Sequence, residues 1–551
     1  MKHCPECNRN YADPTISFCL QDGAPLVFGL AAEEPETAVL SADRPSEAAT
    51  RTFEPKLNPR PVNGRFASRR KSIAAGILGT LLITALGFGG YLYYRRGSSK
   101  QIESIAVMPF MNQGGNPDIE YLSDGITETL ISSLTQLPNL AVKPRSSVFR
   151  YKGKDPDAKT LGKELNVAAI LNGIIVQRGS ETALHVELID TSNETLLWSA
   201  DYKRPIANLA SLQEEIARDV IKELKIKLNS IDEQKVVKNY TENGEAYQLY
   251  LQGRYFWNKQ TNNDLARAVD YFQKAIAIDP NYALAYAGLA DAYSLNIIGA
   301  NRERMAKSRE AALKALSIDD NLPEAHASLG RILSVDDYDF VGAERELRRA
   351  TALNPNYGIG HHFLGDLLSV TGRYEEAFAE NRRAIELEPF SAVFNAGYGS
   401  SLTRARRYDD AIKQYNKALE LDPNLWGAYG RLSVISEITG KYAEAVELRA
   451  KAFEANGGTQ SAALMRESFA KGGWTGFNRR MVGEQRPPNV PSYFQAVSFT
   501  ALGEKDKAFE ALNKSYANHE ISLVQLLNND QRLDPLRDDP RFRDVMKRVG
   551  F

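Results

Sequence analysis

Apolar positions fall into three regimes along the chain. From residue 73 to 94 there is no charged residue, with Lys71 before the stretch and Arg95 after it. At 1.5 Å per residue a helix of this length crosses a hydrocarbon layer of about 30 Å, so one transmembrane helix is predicted there. Residues 101–230 alternate short apolar runs with helical periodicity. Strands are expected at 105–110, 140–144, 168–178, 181–190 and 196–203, and helices at 124–137, 158–165 and 211–228. Gly179-Ser180, between two of the runs, predicts a tight hairpin. This pattern is that of an α/β sandwich with one core. Asp124 is read as capping the helix that follows it, with Asp124-Gly125 as a ligand-binding turn the alternative.

The third regime is periodic. Ala343, Ala377, Ala411 and Ala445 are spaced by 34 residues, and so are Ala350, Ala384, Ala418 and Ala452. Pro355, Pro389 and Pro423 take the same step, and Leu329-Gly330, Leu364-Gly365, Tyr398-Gly399 and Leu432-Ser433 recur at 34–35. A 34-residue helix–turn–helix unit with small residues where its helices cross resembles the tetratricopeptide repeat. An earlier unit is marked by Gly253, Ala268, Phe272, Ala275 and Pro280, with a longer loop at 259–263. The next carries Leu289, Tyr293 and Ala315, with extra residues near 297–302. Ala508, Leu512 and Ser515 mark a further unit after a degenerate stretch, 457–491, and a polar helix at 526–551 is expected to cap the stack.

The first helices of such repeats line a concave groove. In this register the groove-facing residues are Tyr250, Arg254, Trp257, Arg331, His362, Asp366, Ser400, Arg404 and Glu437, an Arg- and aromatic-rich set suited to a protein or extended peptide partner. Self-association through the repeats stays open. His326 and His361 fall where the pattern wants a bulky residue between helices, so packing is preferred to metal binding.

Words in residues 101–230 resemble the TolB-like amino-terminal domain: Ile105-Ala-Val-Met-Pro-Phe110, Tyr121-Leu-Ser-Asp-Gly-Ile-Thr-Glu128, Tyr151-Lys-Gly-Lys154, Leu188-Ile-Asp190, Leu197-Trp198 and Gln213-Glu-Glu-Ile-Ala217. The resemblance implies a module that follows a membrane span and precedes tetratricopeptide repeats. The winged helix, nucleotide cyclase or kinase often joined to that module is not legible in residues 1–72.

Composition adds the N-terminal chemistry. All three cysteines lie in the first 22 residues, as Cys4-Pro-Glu-Cys7 and Phe18-Cys19-Leu-Gln-Asp22-Gly23. Cys4, Cys7, Cys19 and Asp22 are the candidate ligands of a structural zinc, with His3 or water the alternatives to Asp22. The segment resembles the small zinc ribbons that open many bacterial multidomain proteins. It is too short to fold without the metal.

Residues 29–72, with five prolines, read as a flexible linker. Seven basic residues in 51–72 against three in 95–115 place the N-terminus in the cytoplasm and residues 101–551 outside a bacterial inner membrane. The net charge of −1 argues against a nucleic-acid footprint. No phosphate-binding loop, zinc-protease motif or nucleophile elbow occurs, which argues against an enzyme.

The expected architecture is therefore a zinc ribbon at 1–28, a linker at 29–72, a membrane helix at 73–94, a TolB-like domain at 101–230, a tetratricopeptide solenoid at 245–525 and a cap at 526–551. The expected function is a membrane-anchored, non-enzymatic interaction scaffold. The alternative is a one-component regulator whose cytoplasmic ribbon contacts a protein or nucleic acid.

Overall fold

The computed structural model describes residues 2–3, 10–11, 27–28, 102–116, 119–137, 140–178, 181–205, 208–224, 240–259, 262–295, 302–488 and 490–551. The chain divides into two compact units, Met1–Gly97 and Ser98–Phe551. In the first, strand β1 (Lys2–His3) pairs antiparallel with β2 (Asn10–Tyr11) and with β3 (Val27–Phe28). The candidate ligands Cys4, Cys7, Cys19 and Asp22, the linker 29–72 and the predicted span 73–94 lie outside the described residues. Among the described residues no helix is long and apolar enough to cross a membrane.

The second unit begins with a six-stranded sheet in the order β6-β4-β7-β8-β9, with β5 also pairing β7. Its strands are β4 (Ser104–Val107), β5 (Met111–Asn112), β6 (Ala141–Val142), β7 (Ala169–Arg178), β8 (Glu181–Asp190) and β9 (Leu196–Pro205). Along β8 the alternating residues Thr182, Leu184, Val186 and Leu188 are buried, which is the period a half-buried strand requires. Arg178 pairs with Glu181, the pairing that a tight hairpin at Gly179-Ser180 requires. The apolar run at 105–110 is not one strand. Pro109 has no N–H for the ladder, the strand stops at Val107, and it resumes as β5.

Helix α1 (Glu120–Thr135) starts a turn earlier than expected, so Asp124 is neither a cap nor part of a turn. It sits buried in mid-helix and pairs with Lys152 at 2.5 Å. Gly125 faces Leu251, whose Cδ2 lies 2.9 Å from where a Cβ would be, so glycine there lets two helices touch. The domain is completed by α2 (Arg145–Val148), α3 (Ala158–Leu165) and α4 (Leu209–Glu223). Asp157 caps α3 by accepting from Thr160 N at 2.7 Å. One apolar core runs from Ile105 and Leu122 through Ile216 to Leu251 and Phe272, joining the sheet to the first helical repeats.

The repeats are the helix pairs α5 (Gly244–Trp257) and α6 (Asn262–Ile278), α7 (Ala283–Ser294) and α8 (Arg302–Ile318), and α9 (Pro323–Ile332) and α10 (Phe340–Leu353). They continue as α11 (Gly358–Val370) and α12 (Tyr374–Leu387), α13 (Ala392–Arg404) and α14 (Tyr408–Leu421), and α15 (Trp426–Ile438) and α16 (Tyr442–Ala455). The stretch read as degenerate is helical too: α17 (Thr459–Val482) is broken at Gly473, whose φ of 58° no β-carbon residue adopts easily. Then come α18 (Ser492–Ala501), α19 (Lys505–Ala517), α20 (Ile521–Leu526) and α21 (Pro540–Arg548). The insertion expected near 297–302 lies mostly outside the described residues.

Local chemistry sets the turns. After α10 and α14 the Oδ1 of Asn354 and Asp422 accepts from Asn356 N (3.0 Å) and Asn424 N (2.9 Å), with Pro355 or Pro423 between. Glu375-Glu376 and Asp409-Asp410 occupy the first turns of α12 and α14, where acids complement the helix dipole.

The recurring alanines sit at the crossings: Ala343, Ala377 and Ala411 are fully buried and Ala445 is 2 % exposed. Replacing Ala411 by Leu is expected to overpack its crossing and cost on the order of 1–3 kcal/mol. Asp410→Ala, on the half-exposed neighbour, is expected to cost well under about 1 kcal/mol. Thermal melts of the two variants check this, and a wild-type melt for Ala411→Leu would break the register.

The solenoid closes on itself. Its tail returns to the middle repeats, where His519 Nδ1 meets Asp336 O at 2.7 Å and the His519 ring stacks on Tyr338. Phe551 packs on Phe340, and Val370 shares a core with Tyr493, Leu523 and Val545. In the last helix Phe542 and Val545 are buried, and Val549 after it is buried as well.

Candidate functional site

Closure of the solenoid and the docked α/β domain leave a central cavity of about 2320 Å³. Its wall is drawn from α1, from the first helices of the repeats and from the tail around Gln525.

At one side, Glu128 of α1 accepts from Arg254 (Nε 2.9 Å, Nη2 2.5 Å) and Asn258 (2.5 Å) of the first repeat, with Arg145 3.4 Å away. Burial pushes the Glu128 carboxyl up, but Arg254 and Arg145 outweigh it and hold it below the usual carboxylate range. Tyr247 OH donates to Gln213 (2.7 Å), Asn356 donates to Thr135 O (3.1 Å) and Arg150 lies over the Phe390 ring, so the α/β domain touches several repeats.

At the other side the tail is held by ions. Arg404 donates to Gln525 O (2.9 Å), Asp366 (2.8 Å) and Ser369 (2.6 Å), and Arg431 donates to Gln525 Oε1 (2.6 Å). Burial raises the Asp366 carboxyl, yet Arg404, His362 and Arg331 hold it low. His362 is driven the other way: burial takes its imidazole down to about 4, so it is neutral at pH 7, stacked on Phe394. Deeper still, Glu437 accepts from Arg449 (3.3 Å) and Arg532 (3.0 Å), and Asp530 binds Arg532 (2.7 Å) and Tyr493 OH (2.8 Å).

Of the predicted groove residues, Tyr250, Arg254, Trp257, Arg331, His362, Asp366 and Ser400 line the cavity. Arg404 and Glu437 do not; their side chains are 4 % and 6 % exposed and are spent on binding the tail. The register places them on the concave face, but in the last repeats that face is covered by the returning chain. His326 and His361 prove to be polar ties, each bridging a glutamate of the second helix (Glu346, 2.7 Å; Glu380, 2.6 Å) to a carbonyl of the preceding turn. Sequence reasoning missed Asp291, Glu324, Tyr357, Trp426 and Arg431 on the cavity wall. The 34-residue step from Ser400 reaches Val434, whereas Arg431 lies one turn earlier on the same face.

Tetratricopeptide-repeat profiles match residues 259–282, 339–392 and 394–425. The helical region is a tetratricopeptide-repeat solenoid. Such repeats form protein-interaction scaffolds, which bind protein or peptide partners. A profile for the second domain of HilA/YgeH-like transcriptional regulators matches residues 100–219, where sequence words suggested a TolB-like domain. A putative adenylate cyclase 3 of Rhizobium meliloti is 30% identical over 235 residues, covering 42% of this chain and 40% of that one. The transcriptional regulator HilA of Salmonella typhimurium is 25% identical over 289 residues, covering 50% of this chain and 49% of that one. The chain thus spans half or less of the length of these curated relatives. Among solved structures, a thermophilic tetratricopeptide-repeat protein of Thermus thermophilus is 19% identical with a TM-score of 0.29, covering 36% of this chain and 98% of that one.

Proposed function

We propose that the chain is a non-enzymatic interaction scaffold, anchored in a bacterial inner membrane by residues 73–94, that holds a peptide segment of a protein partner in its tetratricopeptide cavity. The observation that carries this reading is the cavity itself. It is large, faces inward from several repeats, and is lined by Trp257, Tyr357, Trp426 and Arg431, the residue types that anchor protein contacts. A photo-crosslinking residue in place of Trp426 is expected to trap a partner peptide. The same residue at Val341, which is 81 % exposed on the solenoid's second helix α10, is expected not to. Equal trapping from both positions would remove the cavity from the function.

The domain at 101–230, which we read as TolB-like, closes one side of that cavity. We place residues 101–551 outside the cytoplasm on the charge bias of the flanks. A reporter active only in the cytoplasm is expected to be silent when fused after Phe551 and active when fused before Lys2; the reverse would put both domains inside.

For the N-terminus we read one structural zinc held by Cys4, Cys7, Cys19 and Asp22. Zinc content is expected to fall from one per chain to near zero in Cys19→Ser.

A second reading, a one-component regulator, is favoured by the HilA/YgeH-like match at 100–219 and by relatives named as a transcriptional regulator and a putative cyclase. The two readings part at the ribbon. Exchanging Cys4 and Cys7 for Ser leaves partner capture intact under the first and abolishes a cytoplasmic output under the second.

A further inference from the structure

Helix α9 carries Glu324 and Arg331 seven residues apart, two turns on one face and about 10 Å along the axis. Both side chains line the central cavity. Among the described residues neither makes an ion pair or a hydrogen bond to another side chain. The Arg331 guanidinium lies over the Phe363 ring at 4.7 Å, and its Nε is sealed from solvent without an acceptor. The acids nearest to it are engaged elsewhere, Asp366 with Arg404 and Asp291 with the Ser328 hydroxyl. This sets Arg331 apart from Arg254, Arg404, Arg449 and Arg532, each of which faces a carboxylate.

Both charges are held at a disadvantage. Burial pushes the Glu324 carboxyl up and the Arg331 guanidinium down from their usual values. Both residues are partly exposed on the cavity wall, and a partly desolvated charge without a partner is a group that an oppositely charged side chain can satisfy.

We propose that the cavity receives an extended peptide segment that sets a basic side chain against Glu324 and an acidic side chain, three residues away, against Arg331. Three residues of extended chain in the polyproline II conformation make one turn of about 9 Å and bring both side chains to the same face, which matches the separation of the two groups along α9. The cavity, about 2320 Å³, exceeds the roughly 300–1,000 Å³ of a small-molecule site and favours a peptide over a free zwitterion. The inference rests on the peptide-binding reading above and names its recognition chemistry.

The test pans random twelve-residue peptides displayed on phage against the full chain. Enrichment of Lys or Arg three positions from Asp or Glu supports the inference. Enriched peptides without that spacing overturn it and leave peptide binding standing. No enrichment at all overturns both. The enriched peptide is then measured by fluorescence anisotropy against Glu324→Gln and Arg331→Gln. Each variant is expected to lose at least tenfold in affinity, Glu324→Gln losing only the preference for the basic residue and Arg331→Gln only that for the acidic one. A loss of both preferences together in either variant would point to a folding defect and overturn the assignment. Because each substitution removes an uncompensated charge, both variants are expected to melt at or above the wild-type temperature.

Discussion

Asp530→Ala is expected to destabilise the C-terminal half of the solenoid by about 3–5 kcal/mol, the cost of leaving a buried charge without its partner. Asp530 and Arg532 are 1 % and 5 % exposed, and the carboxylate also accepts from Tyr493 OH and from Arg532 N, which starts the short helix at Gln531–Leu536. Burial raises the Asp530 carboxyl, but Arg532 outweighs it and holds the group below its unfolded value. Its contribution is therefore fully present above the usual aspartate pKa and is lost as pH falls through the depressed native value. With the carboxylate removed, the acid left to Arg532 among the described residues is Glu437, which it shares with Arg449. Denaturant melts check the magnitude. The double change Asp530→Ala with Arg532→Met is expected to regain much of the loss, since an uncharged replacement deletes the desolvation cost as well. A single variant that melts like wild type would mean that the tail is held by its apolar core alone.

Glu128→Ala is expected to loosen the α/β domain from the first repeat by about 3 kcal/mol. It strands Arg254, whose side chain is 18 % exposed, and takes an acceptor from Asn258 and Arg145. Hydrogen exchange is the direct readout: amides of α1 and α5 should lose protection together while α14 and α16 keep theirs. Repeats contact mainly their neighbours, so the damage should not spread along the stack. Unchanged exchange in α5 would show that Leu251 against Gly125, and the apolar core around them, suffice.

These two sites were legible to different degrees. Arg254 was legible because a groove position repeats with the helix pair, and the step of 34 residues carries it from one unit to the next. Its partner was not, because Glu128 lies 126 residues earlier and belongs to another domain. Asp124 and Gly125 were misread for a local reason. Asp followed by Gly is strong turn chemistry, but Leu122 and Ile126 bury against the sheet and the helix starts ahead of them at Glu120. The run at 105–110 misled in the opposite way, since its apolar character hid the missing donor at Pro109.

By itself the sequence determined the repeat. A small residue every 34 positions is a local steric demand, met wherever two helices cross, and Ala343, Ala377 and Ala411 are fully buried as that demand requires. It also determined the sheet's long hairpin, because a period of two is set by the strand and not by its neighbours. Only the tertiary structure decided what the concave face holds. Arg331 and Arg404 read alike in sequence, each a basic residue on a first helix. One is left unpaired on the cavity wall, and the other is committed to Asp366 and the Gln525 carbonyl. The difference is made by a tail that returns from more than 120 residues away. No local rule carries that information, because the energy of a buried ion depends on which groups the whole chain brings to meet it.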